Sequence, residues 1–120
     1  MITGIGTDIV DIKRIEKAIE KEAFVKKVFI GSETERALKN KETAAGIYAA
    51  KEAFAKAVGT GFRKITIGDI EVKKDDLGKP YFVFYNEALK FIEDNNAIVH
   101  LTISHEREYA VAFVIIEGRG

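Results

Sequence analysis

The sequence predicts an α+β fold in which an antiparallel sheet packs on helices within one small domain. Apolar residues follow helical spacing over residues 12–58. They alternate in the manner of strands over residues 64–117, where one short helix interrupts them. A length of 120 residues fits one domain, which we expect to span residues 1–120, and 47% apolar residues can form a core without disulfides.

Composition and charge exclude several classes of protein. The 19 basic and 19 acidic residues balance, so the chain lacks the positive excess of general nucleic-acid binders. Without cysteine there is no disulfide framework and no thiolate chemistry. The N-terminus lacks a signal-peptide pattern, and no uncharged apolar stretch is long enough to span a membrane. We therefore expect a cytoplasmic protein with no nucleic-acid or membrane partner.

The chain is expected to begin with a strand that leads into a helix. The segment ITGIGTDIV is apolar and is interrupted by Gly4 and Gly6. Asp8 or Asp11 is placed to cap the following helix, because an aspartate oxygen can accept the free N–H groups of a first turn. Residues 12–29 carry isoleucines at helical spacing, which predicts one helix there.

Two more helices are predicted before the strands begin. Ser32 and Glu35 have the spacing of a capping box, which indicates a short helix after residue 32. A long helix is expected from Glu42 to Val58, and Gly59 has the position of its C-terminal cap.

The second half of the chain predicts two strand pairs around a short helix. Gly68 marks a possible bend in the first strand, and Asn86 is the expected cap of the helix. In order, the segments are the strand KITIGDIEVKKD, the turn DDLGKP, the strand YFVFY, the helix NEALKFIEDNN, and the strands IVHLTISH and YAVAFVIIE.

The last strand predicts an oligomer, because both of its faces are apolar. Helices of this small chain can cover one face, and the other needs a second subunit or a further layer. One face carries Tyr109, Val111, Phe113 and Ile115, and the other carries Ala110, Ala112, Val114 and Ile116.

Two carboxylates from distant segments are candidates for a metal site. Glu52 shares a helix face with Ala45, Ala49 and Lys56, and small alanines suit a face that a ligand approaches. Asp8 ends the apolar part of the first strand. Together the two would form a weak Mg²⁺ site completed by water and substrate phosphates. The alternatives are a helix cap for Asp8 and a helical ion pair of Glu52 with Lys56.

A phosphate-binding turn and a histidine are further candidates, each with a structural alternative. Gly59, Thr60 and Gly61 can expose backbone N–H groups to a phosphate, with Lys56 one turn earlier as countercharge. On spacing alone, a helix cap and a turn explain these glycines better. His105 projects on the core side of its strand but lies at the strand end, where its ring can reach the rim.

The first predicted helix carries a stripe of basic residues. Between Lys13 and Lys27 there are six basic and three acidic residues. The stripe is either a solvated helix face or a docking surface for an acidic partner, which charge would steer into place. The basic stripe consists of Lys13, Arg14, Lys17 and Lys21.

Taken together, these segments resemble the holo-acyl-carrier-protein synthases, a group of 4′-phosphopantetheinyl transferases. The resemblance is carried by GIGTDIVDIKRI, YAAKEAFAKAVGTG, LGKPYF and LTISHEREYAVAFVIIE, in the family's order. It implies the family's fold and transfer of 4′-phosphopantetheine from coenzyme A (CoA) to a serine of apo-acyl carrier protein, which leaves adenosine 3′,5′-bisphosphate. It also implies a homotrimer with active sites between subunits.

The resemblance also implies roles for the candidate residues. Asp8 and Glu52 match the family's Mg²⁺ ligands, and Lys56 acts with them in catalysis. The serine proton would go to Glu52 or to a metal-bound water. A non-catalytic CoA-binding or nucleotide-binding oligomeric module is the alternative function, although such a module needs no pair of metal ligands.

Substrate contacts follow from the same resemblance. Lys56 and the turn of Gly59, Thr60 and Gly61 match positions that hold CoA phosphates. His105 matches a residue near the nucleotide that is contributed across the subunit interface. On the first helix, Arg14 matches a contact with the carrier protein. The chain departs from the family at Ile47, where arginine is frequent, and at Glu106, where a small hydroxyl residue is common.

Overall fold

The structure is a computed structural model that describes residues 1–59 and 65–119. Its helices are α1 (Ile12–Ala18), α2 (Glu22–Val28), α3 (Glu33–Lys39), α4 (Lys41–Val58) and α5 (Asn86–Asp94). Its strands are β1 (Ile2–Asp11), β2 (Ile70–Lys74), β3 (Pro80–Phe84), β4 (Ile98–His105) and β5 (Tyr109–Glu117). A 3₁₀ turn, Ile67–Asp69, precedes β2 and accounts for the bend predicted at Gly68. Within the described ranges, none of the helices is long and apolar enough to cross a membrane.

Two antiparallel sheets and a long central helix form the fold, which confirms the α+β prediction. The larger sheet has the strand order β1–β5–β4, and β2 pairs with β3 in a separate hairpin. Helix α4 contacts all three strands of the larger sheet. We call the sheet face under α4 the inner face and the opposite one the outer face.

Two glycines of β1 allow α4 to lie directly on the strand. A Cβ atom on Gly6 would lie 2.0 Å from the carbonyl oxygen of Ala53, and one on Gly4 would lie 2.1 Å from that of Ala57. Real Cβ atoms do not come this close to backbone, so only glycine fits at either position. The close contact brings the second half of α4 against the N-terminal half of β1.

Strand β5 has two apolar faces, as predicted, and the protomer covers only one of them. On the outer face Phe113 remains 40% exposed, while Ile5 and Ile9 of the neighbouring strand are 58% and 66% exposed. An apolar patch spread over several strands is typical of an interaction surface. Four inner-face residues are at most 1% exposed, namely Ala110, Ala112, Val114 and Ile116.

A buried ion pair joins three of the helices. Lys51 in α4 and Glu33 in α3 are both fully buried, and Nζ lies 2.6 Å from Oε1. Lys51 also donates to the carbonyl oxygen of Val28, the last residue of α2 (2.6 Å). Burial lowers the pKa of Lys51, and the negative charge of Glu33 opposes that shift. Each charge compensates the other, because an unpaired charge in a core is strongly unfavourable.

Helix α3 also closes the free edge of β2. Val72 lies in the middle of β2, and its N–H donates to Oε2 of Glu33 (2.5 Å). Its carbonyl oxygen accepts a hydrogen bond from Nη2 of Arg36. Glu33 and Arg36 lie three residues apart on one helix face, so together they satisfy both backbone groups as a neighbouring strand would.

The structure corrects the capping role predicted for Ser32. Instead of capping α3, Ser32 donates its hydroxyl and its N–H to Oε2 of Glu71 (2.7 and 3.1 Å). The hydroxyl of Tyr85 donates to Oε1 of Glu71 (2.7 Å). Burial would raise the pKa of Glu71, but these hydrogen bonds lower it below its ordinary value. The partner lies 39 residues away, beyond the reach of any local pattern.

The single helix predicted for residues 12–29 is two helices in the structure. Helix α1 ends at Ala18, and Lys21 is extended before α2 begins. Ile12 and Val25 are both buried. In one continuous helix they would point about 140° apart, so the chain must break for both to reach the core.

Two further cap predictions resolve differently. Asp11 caps α1, because its Oδ1 accepts the N–H two residues on (2.9 Å), and Asp8 is free of that role. Asn86 is not the cap of α5; the cap is the residue before it. Asn86 adopts φ 53°, and its side-chain amide donates to Oδ1 of Asp69 (3.1 Å).

Replacing Lys51 by methionine should lower the free energy of unfolding by about 3 kcal/mol, because Glu33 would remain buried without its cation. Urea unfolding at one protein concentration measures the change. Lys26→Met is the control, since that side chain is 75% exposed and its loss should have little effect. A Lys51→Met protein as stable as the parent would contradict this role.

Candidate active site

Two of the candidate residues, Asp8 and Lys56, meet where β1 passes under the end of α4. Asp8 lies on the inner face of β1, opposite Ala112 of β5. Nζ of Lys56 donates to Oδ1 of Asp8 (2.9 Å) and to the carbonyl oxygen of Thr7 (3.1 Å). The Asp8 side chain is 17% exposed and that of Lys56 is 57% exposed, so the pair lies at the rim of the protomer.

Glu52 and Tyr48 extend this pair along α4. They precede Lys56 by one and two helical turns and lie on the same face of the helix. Burial raises the pKa of Tyr48, and the negative charges of Glu52 and Asp8 raise it further. Tyr48 therefore keeps its proton and can donate a hydrogen bond beside two carboxylates. We call Asp8, Tyr48, Glu52 and Lys56 the carboxylate cluster; the sequence patterns did not single out Tyr48.

The donor set of the carboxylate cluster fits a magnesium ion. Within the described residues, Glu52 forms no ion pair and only Oδ1 of Asp8 is paired with Lys56, so both side chains have oxygens left for a metal. Carboxylate oxygens are the ligands that Mg²⁺ prefers, and it commonly takes the rest from water and phosphate. Over residues 1–59 and 65–119 there is no group of three or more potential metal-binding side chains. A metal here would therefore depend on the substrate for part of its coordination.

The alanines on the face of Glu52 have a different role from the one expected. Ala45 and Ala49 are fully buried in the core of the protomer and leave no space for a ligand. Their small size serves close packing of α4 within the domain. The pattern was ambiguous, since small residues favour close approach of a ligand and of another helix equally.

Gly59 is the C-terminal cap of α4, as its position predicts. It has the left-handed φ of 88°, and its N–H donates to the carbonyl oxygens of Ala55 and Lys56. Thr60 and Gly61, the other two residues of the predicted phosphate-binding turn, lie outside the described residues.

His105 lies away from the carboxylate cluster of its own protomer. It has the inner-face parity expected on β4 and lines a cavity of about 230 Å³ beside Thr43 and Gly46 of α4. Lys56 follows Gly46 by ten residues, which is about 15 Å along a helix. The structure thus brings Asp8, Glu52 and Lys56 together but does not bring His105 to them.

The cavity beside His105 holds two cations that the sequence patterns did not indicate. They are Arg36 from α3 and Lys74 from β2, and Glu42 lines the same cavity. Ile47, at the position where the resemblance implies arginine, also lines it and is 2% exposed. Glu106 lies beside His105 in an adjoining hollow. Positive charge is therefore present near Ile47, from residues that no sequence spacing connects.

The basic stripe is exposed over its whole length. Lys13, Arg14 and Lys17 lie on α1, and Lys21 lies in the connection to α2. None of the four forms an ion pair with another described residue. Arg14 is also close enough to Tyr48 for its charge to oppose the rise in the pKa of that phenol. The stripe therefore adjoins the carboxylate cluster.

The fold agrees with the result of comparison with protein families. Residues 4–114 match the model of the 4′-phosphopantetheinyl transferase superfamily. The match covers nearly the whole chain, so the protein belongs to this superfamily.

Individual relatives within the superfamily are holo-acyl-carrier-protein synthases. The chain is 47% identical to the holo-[acyl-carrier-protein] synthase of Fusobacterium nucleatum, over 97% of this chain and 99% of that protein. The synthase of Bacillus anthracis, solved in complex with CoA (3′,5′-ADP), has a TM-score of 0.82 at 41% identity and covers 99% of each chain. That of Neisseria meningitidis has a TM-score of 0.86 at 41% identity, covering 98% of this chain and 99% of the other.

Proposed function

We propose that this protein is a holo-acyl-carrier-protein synthase and that its 120 residues form one catalytic domain. It transfers 4′-phosphopantetheine from CoA to a serine of apo-acyl carrier protein and releases adenosine 3′,5′-bisphosphate. The observation that carries the proposal is the meeting of Asp8, Glu52 and Lys56 at one rim of a chain that belongs to the superfamily. The cytoplasmic location expected from the sequence stays a prediction.

The metal part of the proposal assigns Mg²⁺ to Asp8 and Glu52. When bound, the ion would neutralise charge on the pyrophosphate of CoA. Lys56 donates to Asp8 at 2.9 Å and is half-exposed, so it can turn from that carboxylate to a phosphate oxygen. Tyr48 adds an O–H donor at the same rim, because its raised pKa keeps it protonated.

The reaction is a displacement at the phosphorus that carries the pantetheine arm. The serine oxygen forms a new bond to this phosphorus, and the bond to the bridging pyrophosphate oxygen breaks. Adenosine 3′,5′-bisphosphate leaves with that oxygen, and the serine proton passes to Glu52 or to a water molecule. Lys56 and the carboxylates act by holding and neutralising the phosphates, which is the main source of catalysis in phosphoryl transfer.

The nucleotide of CoA is proposed to lie between two protomers. Lys56, Gly59, Thr60 and Gly61 hold phosphates on one side, and His105 of a second copy approaches from the other. CoA carries its 3′-phosphate and its pyrophosphate on one ribose. In one protomer, however, Lys56 lies about 15 Å along α4 from Gly46, which lines the cavity of His105. A second copy removes this mismatch, and its cavity would supply Arg36 and Lys74 as further cations.

A homotrimer is the assembly we propose. The outer face of the larger sheet supports it, because Ile5, Ile9 and Phe113 are exposed there without cover. Burial of such a surface between copies is favourable, at about 25 cal/mol for each Å² of apolar area removed from water.

The basic stripe is the proposed docking site for acyl carrier protein. Lys13, Arg14, Lys17 and Lys21 are exposed, and the stripe adjoins the carboxylate cluster through Arg14. An acidic helix bound there would bring its serine to the rim where CoA is held. Exposed charges of this kind mainly steer encounter and fix orientation.

A non-catalytic module that binds CoA or a nucleotide is the competing function. It would use His105 and the turn after α4 but would have no need of Asp8 and Glu52. Incubation with apo-carrier, CoA and Mg²⁺, followed by mass spectrometry of the carrier, separates the two. The synthase adds one phosphopantetheine to the carrier, and the module adds none.

Removing either carboxylate should abolish transfer. Asp8→Asn and Glu52→Gln should each lower kcat at least about 100-fold, because both oxygens are needed to hold the metal and neutralise the pyrophosphate. Calorimetric titration with Mn²⁺ gives a second readout, in which both variants should lose metal binding. Glu87→Gln in α5 is the control, and full activity in excess EDTA would refute the metal assignment.

Two inactive variants should restore activity to each other if the site spans two copies. Mixed subunits of Asp8→Ala and His105→Ala form some sites with both residues intact, about a quarter of all sites at equal mixing. The mixture should regain activity after subunit exchange. A mixture of Asp8→Ala and Glu52→Ala is the control, since both changes lie in the same half of the site. Equal failure of both mixtures would place His105 outside the shared site.

Charge reversal in the basic stripe should weaken use of the carrier alone. Arg14→Glu should raise the KM for apo-carrier about tenfold and leave the KM for CoA nearly unchanged, because a guanidinium fork that grips carboxylates is replaced by a repelling charge. Lys90→Glu, an exposed reversal on α5, is the control. An unchanged carrier KM and kcat in Arg14→Glu would mean that the carrier docks elsewhere.

A further inference from the structure

Each of the two carboxylates in the carboxylate cluster lies beside a hydrogen-bond donor from α4. Asp8 accepts from Nζ of Lys56 through Oδ1 (2.9 Å), which leaves Oδ2 for another partner. Glu52 follows Tyr48 by four residues, so the two side chains are neighbours on the helix surface. Tyr48 and Lys56 thus lie eight residues apart on one helix face, each next to one carboxylate.

Aromatic packing holds the ring of Tyr48 in place. Its centroid lies 5.8 Å from that of Phe24 in α2, with an angle of 38° between the ring planes. Phe24 packs edge-on against Phe29, which is 3% exposed. Tyr48 is itself half-buried and packs against the core. Because a packed ring presents its hydroxyl at one fixed position, Tyr48 is a rigid donor.

The charges around Tyr48 set the direction in which its hydroxyl donates. Burial raises the pKa of the phenol, and the charge of Glu52 and a hydrogen bond to that carboxylate raise it further. The charge of Arg14 opposes this shift and that of Asp8 adds to it, so both groups lie near the phenol. A phenol has a single proton to donate, and a neighbouring cation turns that proton away from itself. The hydroxyl therefore donates to the carboxylate of Glu52.

A fixed donor on Glu52 suits a ligand of a small, hard cation. Mg²⁺ demands nearly ideal octahedral geometry, which a freely rotating carboxylate provides only part of the time. Carboxylates that bind metals are commonly held by further hydrogen bonds, and loss of such a partner typically weakens metal binding about 10- to 100-fold. With one oxygen of Glu52 held by the hydroxyl, its other oxygen is left for the metal.

Lys56 cannot support its carboxylate in the same way throughout the reaction. Its side chain is 57% exposed, and in the proposed function it turns from Asp8 to a phosphate oxygen. Tyr48 is held by Phe24 and stays beside Glu52 whether or not the substrate is present. Of these two donors, Tyr48 is the one that remains on a carboxylate once CoA is bound.

We propose that the hydroxyl of Tyr48 positions the metal site, by donating to one oxygen of Glu52 and holding the other oxygen towards Mg²⁺. The inference rests on the proposed transferase function and on its metal assignment. Tyr48 acts through Glu52 and not on the reacting atoms. Its contribution therefore falls on the affinity for the metal and not on the maximal rate.

Tyr48→Phe tests the proposal, because it removes the hydroxyl and keeps the ring against Phe24. In calorimetry with CoA present, the Kd for Mn²⁺ should rise about tenfold. The Mg²⁺ concentration for half-maximal transfer should rise equally, while kcat at saturating Mg²⁺ changes less than about twofold. A variant with the metal affinity of the parent would overturn the role of Tyr48. A loss of kcat that excess Mg²⁺ does not restore would overturn it as well.

Tyr85→Phe is the matched control, since it also removes a tyrosine hydroxyl that donates to a carboxylate. Tyr85 donates to Oε1 of Glu71 (2.7 Å), which lies in β2 and outside the carboxylate cluster. This variant should bind Mn²⁺ as the parent does. If it loses as much Mn²⁺ affinity as Tyr48→Phe, the loss is not specific to the metal site and the proposal fails.

The parent protein separates failure of this proposal from failure of the transferase function. A parent that needs Mg²⁺ for transfer, together with a Tyr48→Phe variant of unchanged metal affinity, would refute the role of Tyr48 alone. A parent that binds no Mn²⁺ and adds no phosphopantetheine to the carrier would refute both proposals.

Discussion

The ion pair between Lys51 and Glu33 fixes the rotation of α4, and most of the surrounding arrangement depends on it. Neither charge is accessible to water, so each must meet the other in the core. Glu33 also accepts hydrogen bonds from the N–H groups of Ile30 and Val72, which ties α3 and β2 to the same point. Because Lys51 and Glu52 are adjacent, turning Lys51 into the core turns Glu52 towards the rim. A residue pair with no catalytic role thereby aims one of the two proposed metal ligands.

The distance between the two carboxylates depends on a second constraint, the contact of α4 with β1. Gly4 and Gly6 allow the helix backbone to lie against the strand, and the contact of Lys56 with Asp8 at 2.9 Å follows two residues later. A side chain at either glycine would lift the helix and separate these groups. Different residues thus set the rotation of α4 about its axis and the distance of α4 from β1. The carboxylate cluster forms only when both the rotation and the distance are correct.

Local patterns in the sequence were sufficient for most of the elements. Helix α4, its cap at Gly59, and the two apolar faces of β5 follow from spacing alone, because each depends on neighbours within a few residues. The break between α1 and α2 does not follow from spacing, since it arises from the need to bury Val25 together with Ile12. The partners of Lys51 and Ser32 were equally out of reach, because they come from other elements. The small size of Ala45 and Ala49 gave a wrong prediction of space for a ligand, because both residues pack within the core.

The site could be predicted only as far as its chemistry lay in short motifs. Asp8, Glu52 and Lys56 were predicted because they lie in short motifs that resemble those of a known family, whereas spacing alone left a helix cap and a helical ion pair open. Tyr48 was missed: helical spacing places it beside Glu52, but its proximity to Asp8 depends on how β1 meets α4. Arg36 and Lys74 come from unrelated segments and meet only in the folded chain. The features that could not be predicted depend on contacts between residues far apart in the sequence, which local patterns do not encode.

Helix α4 has a consequence for communication between sites. Its 18 residues form a rod about 27 Å long. Glu52 and Lys56 lie in its second half, and its first half lines the cavity of His105. In the proposed trimer, each such helix belongs to two neighbouring sites, one through each half. A displacement of α4 that raises the affinity of one site for CoA also changes the geometry of the neighbouring site. Successive CoA molecules then need not bind with equal affinity. Cooperativity would then arise from rigidity alone, without a hinge or a mobile loop.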